Sequence, residues 1–223
     1  MQIKDQFIIH PVSPVLPEKY STLLEDVPTS LISDNLRRLE GVLGLQRYNP
    51  SRKLVGTAVT VKLRSGDNLL TYKALSMMQP GHVLVVDAGG VTSNAIVGEL
   101  LMLYAQQRGC VGFVIDGAFR DSAAFAQADF PCFARSVTHR GPYKTGPGTI
   151  NLPVSIGGQV IEPGDVIVGD EDGLVSFPFE ELDIVLAAAE KSRLNEQAIR
   201  DEIATGAVHQ SWMEKMFKAN GID

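Results

Sequence analysis

Two unbroken apolar runs, His82-Val-Leu-Val-Val-Asp87 and Val111-Gly-Phe-Val-Ile-Asp116, each end on an aspartate and stand one helix apart. No other feature limits the fold as much. A short apolar run without alternation, closed off by Gln79-Pro80-Gly81 before it and Ala88-Gly89-Gly90 after it, predicts a strand buried on both faces. The intervening helical pattern, placed at about residues 94–108, makes a βαβ unit, so the strands should run parallel with a right-handed crossover. Asp87 and Asp116 then share the carboxyl-terminal edge of one sheet, where ligands of open α/β sheets collect.

The flanking segments extend this core. Leu54 to Leu63 places Val55, Thr57, Val59, Val61 and Leu63 at a period of two and predicts a strand. Asp67 is placed to cap a helix over 68–78, and Thr29-Ser30 to cap one carrying Leu31, Ile32, Leu36 and Leu39 that ends near Gly41. After Val137 the turn clusters Gly157-Gly158, Glu162-Pro163-Gly164-Asp165 and Asp170-Glu171-Asp172-Gly173 predict antiparallel hairpins. Residues 179–205 read as one long amphipathic helix. Pro11, Pro14 and Pro17 make residues 1–28 an extended lead-in, because each proline removes a backbone donor. The expected architecture is an α/β fold with a parallel βαβ core, glycine-rich hairpins and a long C-terminal helix, in a single domain over 1–223.

Composition excludes several classes. A formal net charge of −6, with no basic cluster longer than Arg37-Arg38, leaves little to neutralise a phosphate backbone, so nucleic acid is not expected as a partner. No segment approaches the roughly 20 apolar residues of a membrane span, and Met1 to His10 lacks a basic region followed by an apolar core. A soluble cytoplasmic protein is expected. Cys110 and Cys132 lie in or beside apolar runs without metal-ligand spacing and read as buried thiols.

The residues beyond the two buried strands carry the chemistry. Gly98-Glu99-Leu100-Leu101 and Asp116-Gly-Ala-Phe-Arg120-Asp121 offer glycine turns and helix starts, whose free N–H groups suit an anion. Arg120 has the planar fork for a carboxylate, and Asp121 has hard oxygens for Mg²⁺ or Mn²⁺. Taken singly, Glu99 and the Arg120-Asp121 pair fit a solvated surface better than a site, and Asp87 and Asp116 fit strand-end turns. His10, His82, His139 and His209 are scattered, no zinc spacing is present, and no GxSxG elbow occurs. Arg140-Gly-Pro-Tyr-Lys-Thr-Gly-Pro-Gly148 lacks Walker spacing and reads as a loop shaping the mouth of the site, with the parts played by His139 and Lys144 left open. Asp170 to Gly173 is too short for an EF-hand and reads as a turn.

Gly98-Glu99-Leu100-Leu101 together with Arg120-Asp121 resembles the signature of the class II pyruvate aldolases of the RraA-like family, among them 4-hydroxy-4-methyl-2-oxoglutarate aldolases. The likeness extends through Val-Val-Asp87-Ala-Gly-Gly, Gly-Phe-Val-Ile-Asp116-Gly, Arg140-Gly-Pro, Pro163-Gly164-Asp165 and Gly169-Asp-Glu-Asp-Gly173. It implies a swivelling β/β/α domain that assembles as a homotrimer or homohexamer, with sites at subunit interfaces and the 179–205 helix packed there. It also implies roles: Asp121 ligates the metal, Glu99 holds a metal-bound water, Arg120 grips the substrate and stabilises an enolate, and the N–H groups of Leu100 and Leu101, after Gly98, receive the pyruvate carboxylate. Glu196 is the positional match for a glutamate contributed through water by a neighbouring subunit.

One position departs from the pattern. Family aldolases carry Asp or Glu three residues beyond the aspartate, where this chain has Ala124. An alanine orders no water, so the resemblance implies metal-dependent decarboxylation of oxaloacetate ahead of retro-aldol cleavage of a 4-hydroxy-2-oxo diacid. Family members regarded as regulators of ribonucleases supply the alternative, a non-catalytic protein-binding role.

Overall fold

Strands form where β-branched and aliphatic residues run together, and helices open at Pro17, Pro28 and Asn68 ahead of better helix formers. In the computed structural model, which describes residues 6–38 and 41–222, the chain begins with β1 (Phe7–Ile9), α1 (Glu18–Glu25), α2 (Thr29–Asn35) and the short β2 (Gln46–Arg47). The crossovers follow as β3 (Leu54–Leu63), α3 (Leu69–Met77), β4 (His82–Asp87), β5 (Ala95–Val97), α4 (Glu99–Gln107), β6 (Gly112–Phe119), α5 (Ser122–Gln127) and β7 (Cys132–Val137). Short strands β8 (Gly148–Ile150), β9 (Val154–Ile156), β10 (Gln159–Ile161), β11 (Val166–Gly169) and β12 (Leu174–Phe177) lead to α6 (Leu182–Ala204) and α7 (Ser211–Ala219).

The fold is mixed α/β, with a central sheet and a long helix near the C-terminus. Strands β3, β4, β6 and β7 are parallel neighbours in that order, and Asp87 lies in register with Asp116. The predicted βαβ unit is therefore present with its two aspartates in register, but β6 runs on past Asp116 to Phe119, so only Asp87 ends its strand. Strand pleating sends alternate side chains to opposite faces. Val59, Val61, Leu84, Val86 and Ile115 pack with α3, α4 and α5, whereas Ala58, Val83, Val85 and Val114 pack with Ile156 and Ile161 of the β9–β10 hairpin. A third cluster joins α1, α2 and α6 to β11 and β12 through Leu24, Ile32, Val168, Phe177 and Val185.

Several local expectations change. Helix α1 occupies part of the stretch expected to be extended, because Pro17 sits just before the first turn, where its missing donor costs nothing. Helix α2 begins at Thr29 itself with no side-chain cap; the Thr29 hydroxyl and N–H both donate to Asp170, which fixes the predicted Asp170–Gly173 turn as a structural feature. That helix stops at Asn35, and Leu39, expected to extend it, lies outside the described residues. Helix α3 starts at Leu69, whose N–H is taken by Asp67. The largest difference is at residues 95–97, expected as the first turn of a helix. They form β5, fully buried and paired parallel to β6, so α4 begins only at Glu99. Among the described residues no helix is long and apolar enough to cross a membrane.

Candidate active site

Arg120 and Asp121 leave the core between two buried phenylalanines. Phe119, the last residue of β6, and Phe125 in α5 are both fully buried with ring centroids 4.8 Å apart, edge to face. Each buried ring contributes about 1.5–3 kcal/mol, so the two-residue turn between them is held at both ends. Asp121 adopts the left-handed conformation at φ 61° and ψ 40°, a region that aspartate enters more easily than most residues. The chain thereby reverses into α5, and the Asp121 carbonyl receives the Ala124 N–H at 2.9 Å.

The turn meets the start of α4. Asp121 Oδ2 accepts the Glu99 N–H at 3.0 Å, and Arg120 N–H donates to the Val97 carbonyl at 3.0 Å. Arg120 Nε stands 3.7 Å from Asp121 Oδ2, with both side chains nearly half exposed. Gly98 makes this approach feasible: a Cβ there would lie 2.5 Å from Asp121 Oδ2 and 3.0 Å from Arg120 Cγ. Its φ of −154° is open to any residue, so contact, not conformation, demands glycine.

At the first turn of α4 the Leu101 N–H is given to the Gly98 carbonyl at 3.1 Å, whereas the Leu100 N–H meets no acceptor among the described residues. A helix N-terminus with an open N–H beside a guanidinium is suited to a carboxylate. The cleft so formed is lined by Gly98, Leu100, Leu101, Arg120 and Asp121 together with Asn68, Tyr72, Pro142 and Lys144. The 140–148 loop does shape its mouth. Arg140 accepts the Ala95 N–H at 2.8 Å, and Asp67, itself wholly buried, accepts the N–H groups of Thr145 at 2.6 Å and Gly146 at 3.0 Å.

Other candidates fall away from the cleft. Asp87 is buried and sits 3.4 Å from Lys62 Nζ, and Asp116 is buried against Arg135, so both aspartates are engaged in structural pairs. His139 is exposed and does not line the cleft. Glu196 lies on α6, 3.6 Å from Arg200, and takes no part in the cleft of its own chain. Ala124 is half-buried against the core and likewise does not line it. Burial pushes the Cys110 thiol up to about 12 and the Cys132 thiol upward as well, which leaves both inert at neutral pH. Asn68 was not singled out from the sequence, since the Asp67-Asn68 pair reads simply as a helix start. A polar residue just inside an apolar helix was the available signal.

Among the described residues no three His, Cys, Asp or Glu side chains converge as a metal cage. The donors present still fit a hard cation that keeps several waters: Asp121 Oδ1 meets no hydrogen-bond donor among the described residues, and the exposed Glu99 carries a second carboxylate on the adjoining helix turn.

A protein of Halalkalibacterium halodurans, provisionally named 4-hydroxy-4-methyl-2-oxoglutarate aldolase, is 39% identical over 199 residues, covering 88% of this chain and 95% of the relative. The crystal structure of an uncharacterized protein from Pseudomonas syringae pv. tomato superposes with a TM-score of 0.79 at 26% identity, over 89% of this chain and 94% of that one. Streptomyces coelicolor RraAS2, described as an unusual member of the RNase ES inhibitor RraA protein family, superposes at 0.76 with 25% identity, over 83% and 97%. With residues 29–176 matching the RraA-like (aldolase/RraA) family, the chain belongs to that family.

Proposed function

We propose that the protein is a divalent-metal-dependent carbon–carbon lyase that acts on a small 2-oxo acid through a pyruvate enolate. The observation that carries this reading is the meeting of Arg120, Asp121 and the open Leu100 N–H at one cleft. A 2-oxo acid has a carboxylate for the Leu100 N–H and the guanidinium, and a keto oxygen for the same Arg120. Breaking the C3–C4 bond leaves its electron pair on C3, conjugated with the keto group, so negative charge grows on the keto oxygen. Arg120 would stabilise that charge, and preorganised charge aimed at the developing oxyanion is the larger part of such catalysis. Mg²⁺ or Mn²⁺, held by Asp121 and, through water, by Glu99, would supply Lewis-acid polarisation of the keto oxygen. In oxaloacetate the fragment lost is CO₂. In a 4-hydroxy-2-oxo diacid the hydroxyl proton goes to a solvent base and the fragment lost is a second 2-oxo acid. Either way C3 then takes up a proton to give pyruvate, with no net oxidation.

The implied homotrimer or homohexamer, with Glu196 reaching a neighbour's cleft through water, belongs to this proposal. Mixed oligomers of Glu196→Ala and Arg120→Ala subunits should recover activity that neither variant has alone; no recovery would remove Glu196 from the site. The alternative, a regulator of a ribonuclease, draws on what relatives such as RraAS2 are called. The deciding assay is pyruvate release from oxaloacetate and from 4-hydroxy-4-methyl-2-oxoglutarate, with Mg²⁺ and after EDTA treatment. Turnover of neither substrate would remove the lyase reading in favour of the regulator. A cytoplasmic location remains part of the proposal.

A further inference from the structure

A groove of about 530 Å³ opens between three segments: residues 13–17 of the lead-in, the 162–165 turn before β11, and residues 178–180 before α6. Two of its walls are fastened to the sheet. Ser13 meets His82 Nε2 through its carbonyl at 2.9 Å, and the Leu16 N–H donates to Thr57 Oγ1 at 2.8 Å, with Pro14 and Pro17 stiffening the segment. Ala58 gives its N–H to the Asp165 carbonyl at 2.9 Å and accepts that of Gly164 at 3.0 Å. Thr57 and His82 are in register, and His82 opens β4, so the groove lies at the strand end opposite the one that carries Asp87.

Three carboxylates line this groove, Glu162, Asp165 and Glu180, and no lysine, arginine or histidine does. None of the three is in an ion pair among the described residues. Asp165 is 6% exposed; its Oδ2 accepts the Glu162 N–H at 2.9 Å and the Ser176 hydroxyl at 3.1 Å, whereas Oδ1 meets no donor among the described residues. Burial pushes its carboxyl upward, and the neighbouring Glu162 and Glu180 charges add to that push. The three acids do not converge as a metal cage, and the surface between them is proline, Val15 and the half-exposed Phe179 ring, which a hydrated ion cannot use. Sites for small molecules span roughly 300–1,000 Å³ and combine apolar walls with a few polar groups.

We infer that this groove is a second binding site, which takes a small organic cation: an ammonium or guanidinium at Asp165 Oδ1, with an apolar body against Pro14, Pro17 and Phe179. Glu162 and Glu180 draw the cation to the rim, and the Phe179 ring adds a cation–π face. The site owes nothing to the lyase reading and stands or falls separately from it.

The experiment titrates the full chain with 4-phenylbutylamine, which is protonated at neutral pH, and with its neutral isostere 4-phenylbutanol, following the backbone amides of Ser13, Gly164 and Phe179 by NMR. The amine should shift all three, with a Kd about tenfold or more below that of the alcohol, because a hydrogen bond to a charged group is lost in the alcohol. Asp165→Asn keeps an oxygen for the Glu162 N–H and the Ser176 hydroxyl, and should weaken the amine by about the same factor. Glu180→Gln changes an exposed and screened charge and should weaken it about threefold or less. If Asp165→Asn does not fold, the double variant Glu162→Gln/Glu180→Gln decides: weaker amine binding supports the inference, and unchanged binding overturns it. No shift from the amine, or an equal affinity for the alcohol, would overturn it. So would undiminished binding in the folded Asp165→Asn variant, or displacement of the amine by Mg²⁺ with the same amides shifted, which would make the groove a metal site.

Discussion

Asp121 and Glu99 are joined by one hydrogen bond, from the Glu99 N–H to Asp121 Oδ2 at 3.0 Å, across a separation of 22 residues. It ties the turn that ends β6 to the first turn of α4, so the fold itself brings two carboxylate-bearing residues together. A carboxylate at a helix N-terminus is stabilised by the helix dipole as well as by the bond, and this one needs no partner chain to be positioned.

Gly98 is the point at which this junction is most sensitive. In Gly98→Ala the new Cβ would meet Asp121 Oδ2 at 2.5 Å, and the carboxylate and the Arg120 stem must move apart. A misplacement of about 1 Å at a reacting centre costs on the order of a hundredfold in rate, so kcat should fall by roughly that factor. The backbone at φ −154° accepts alanine, and a thermal melt should show a much smaller proportional change.

Asp67 fastens the loop that carries Lys144. Burial alone would push its carboxyl up, but the N–H groups of Leu69, Thr145 and Gly146 and the Thr145 hydroxyl together hold it below the usual aspartate value. Its folded-state value is depressed, so its contribution is full above the unfolded value near 3.8 and is lost as pH falls through the lower folded value. Asp67→Ala leaves buried donors unpaired and should cost about 3 kcal/mol in urea unfolding at neutral pH. Binding of a diacid should weaken with it, since the 140–148 loop loses its anchor.

His82 gives the fold a second pH dependence, in a milder range. It is fully buried; Nδ1 accepts the Gln79 N–H at 2.9 Å, which puts the ring hydrogen on Nε2, 2.9 Å from the Ser13 carbonyl. Burial pushes the imidazole below its usual value, outweighing the opposing pull of Ser13. The native state therefore holds fewer protons than the unfolded chain, and stability is full above the unfolded value of 6.5 and declines as pH falls towards the folded one. Asp165, pushed upward mainly by burial, acts with the opposite sign, its contribution being lost as pH rises. Urea midpoints from pH 8 down to about 5 should fall in the wild type and fall less steeply in His82→Gln, because only a group that titrates in that window contributes slope.

The parts of the fold legible in the sequence are those fixed by pattern alone. His82–Asp87 and Val111–Asp116 read as doubly buried strands, so the parallel core and the aspartate register follow, whereas the extension of β6 to Phe119 depends on its pairing with β5 and β7. Ala95-Ile96-Val97 was not legible, because three apolar residues before a helix look like its first turn until β6 is there to pair with them. The cleft divides in the same way. Glu99, Arg120 and Asp121 stand at the edges that topology picks out, whereas Asn68 reaches the cleft only through the packing of α3 beside β5 and Lys144 only through the Asp67 anchor. Those are tertiary contacts without a local period.

The central claim is that Arg120 and Asp121 support an enolate of pyruvate, and deuterium exchange tests it without requiring the natural substrate. Pyruvate incubated in D₂O with the protein and Mg²⁺, followed by proton NMR, should lose its methyl signal at a catalysed rate. Removing a group that stabilises the developing oxyanion costs about 10²–10³ in rate, so Arg120→Ala and Asp121→Ala should each slow the exchange by that order while remaining folded. Exchange that is absent from the wild type, or that continues undiminished in both variants, would contradict the account.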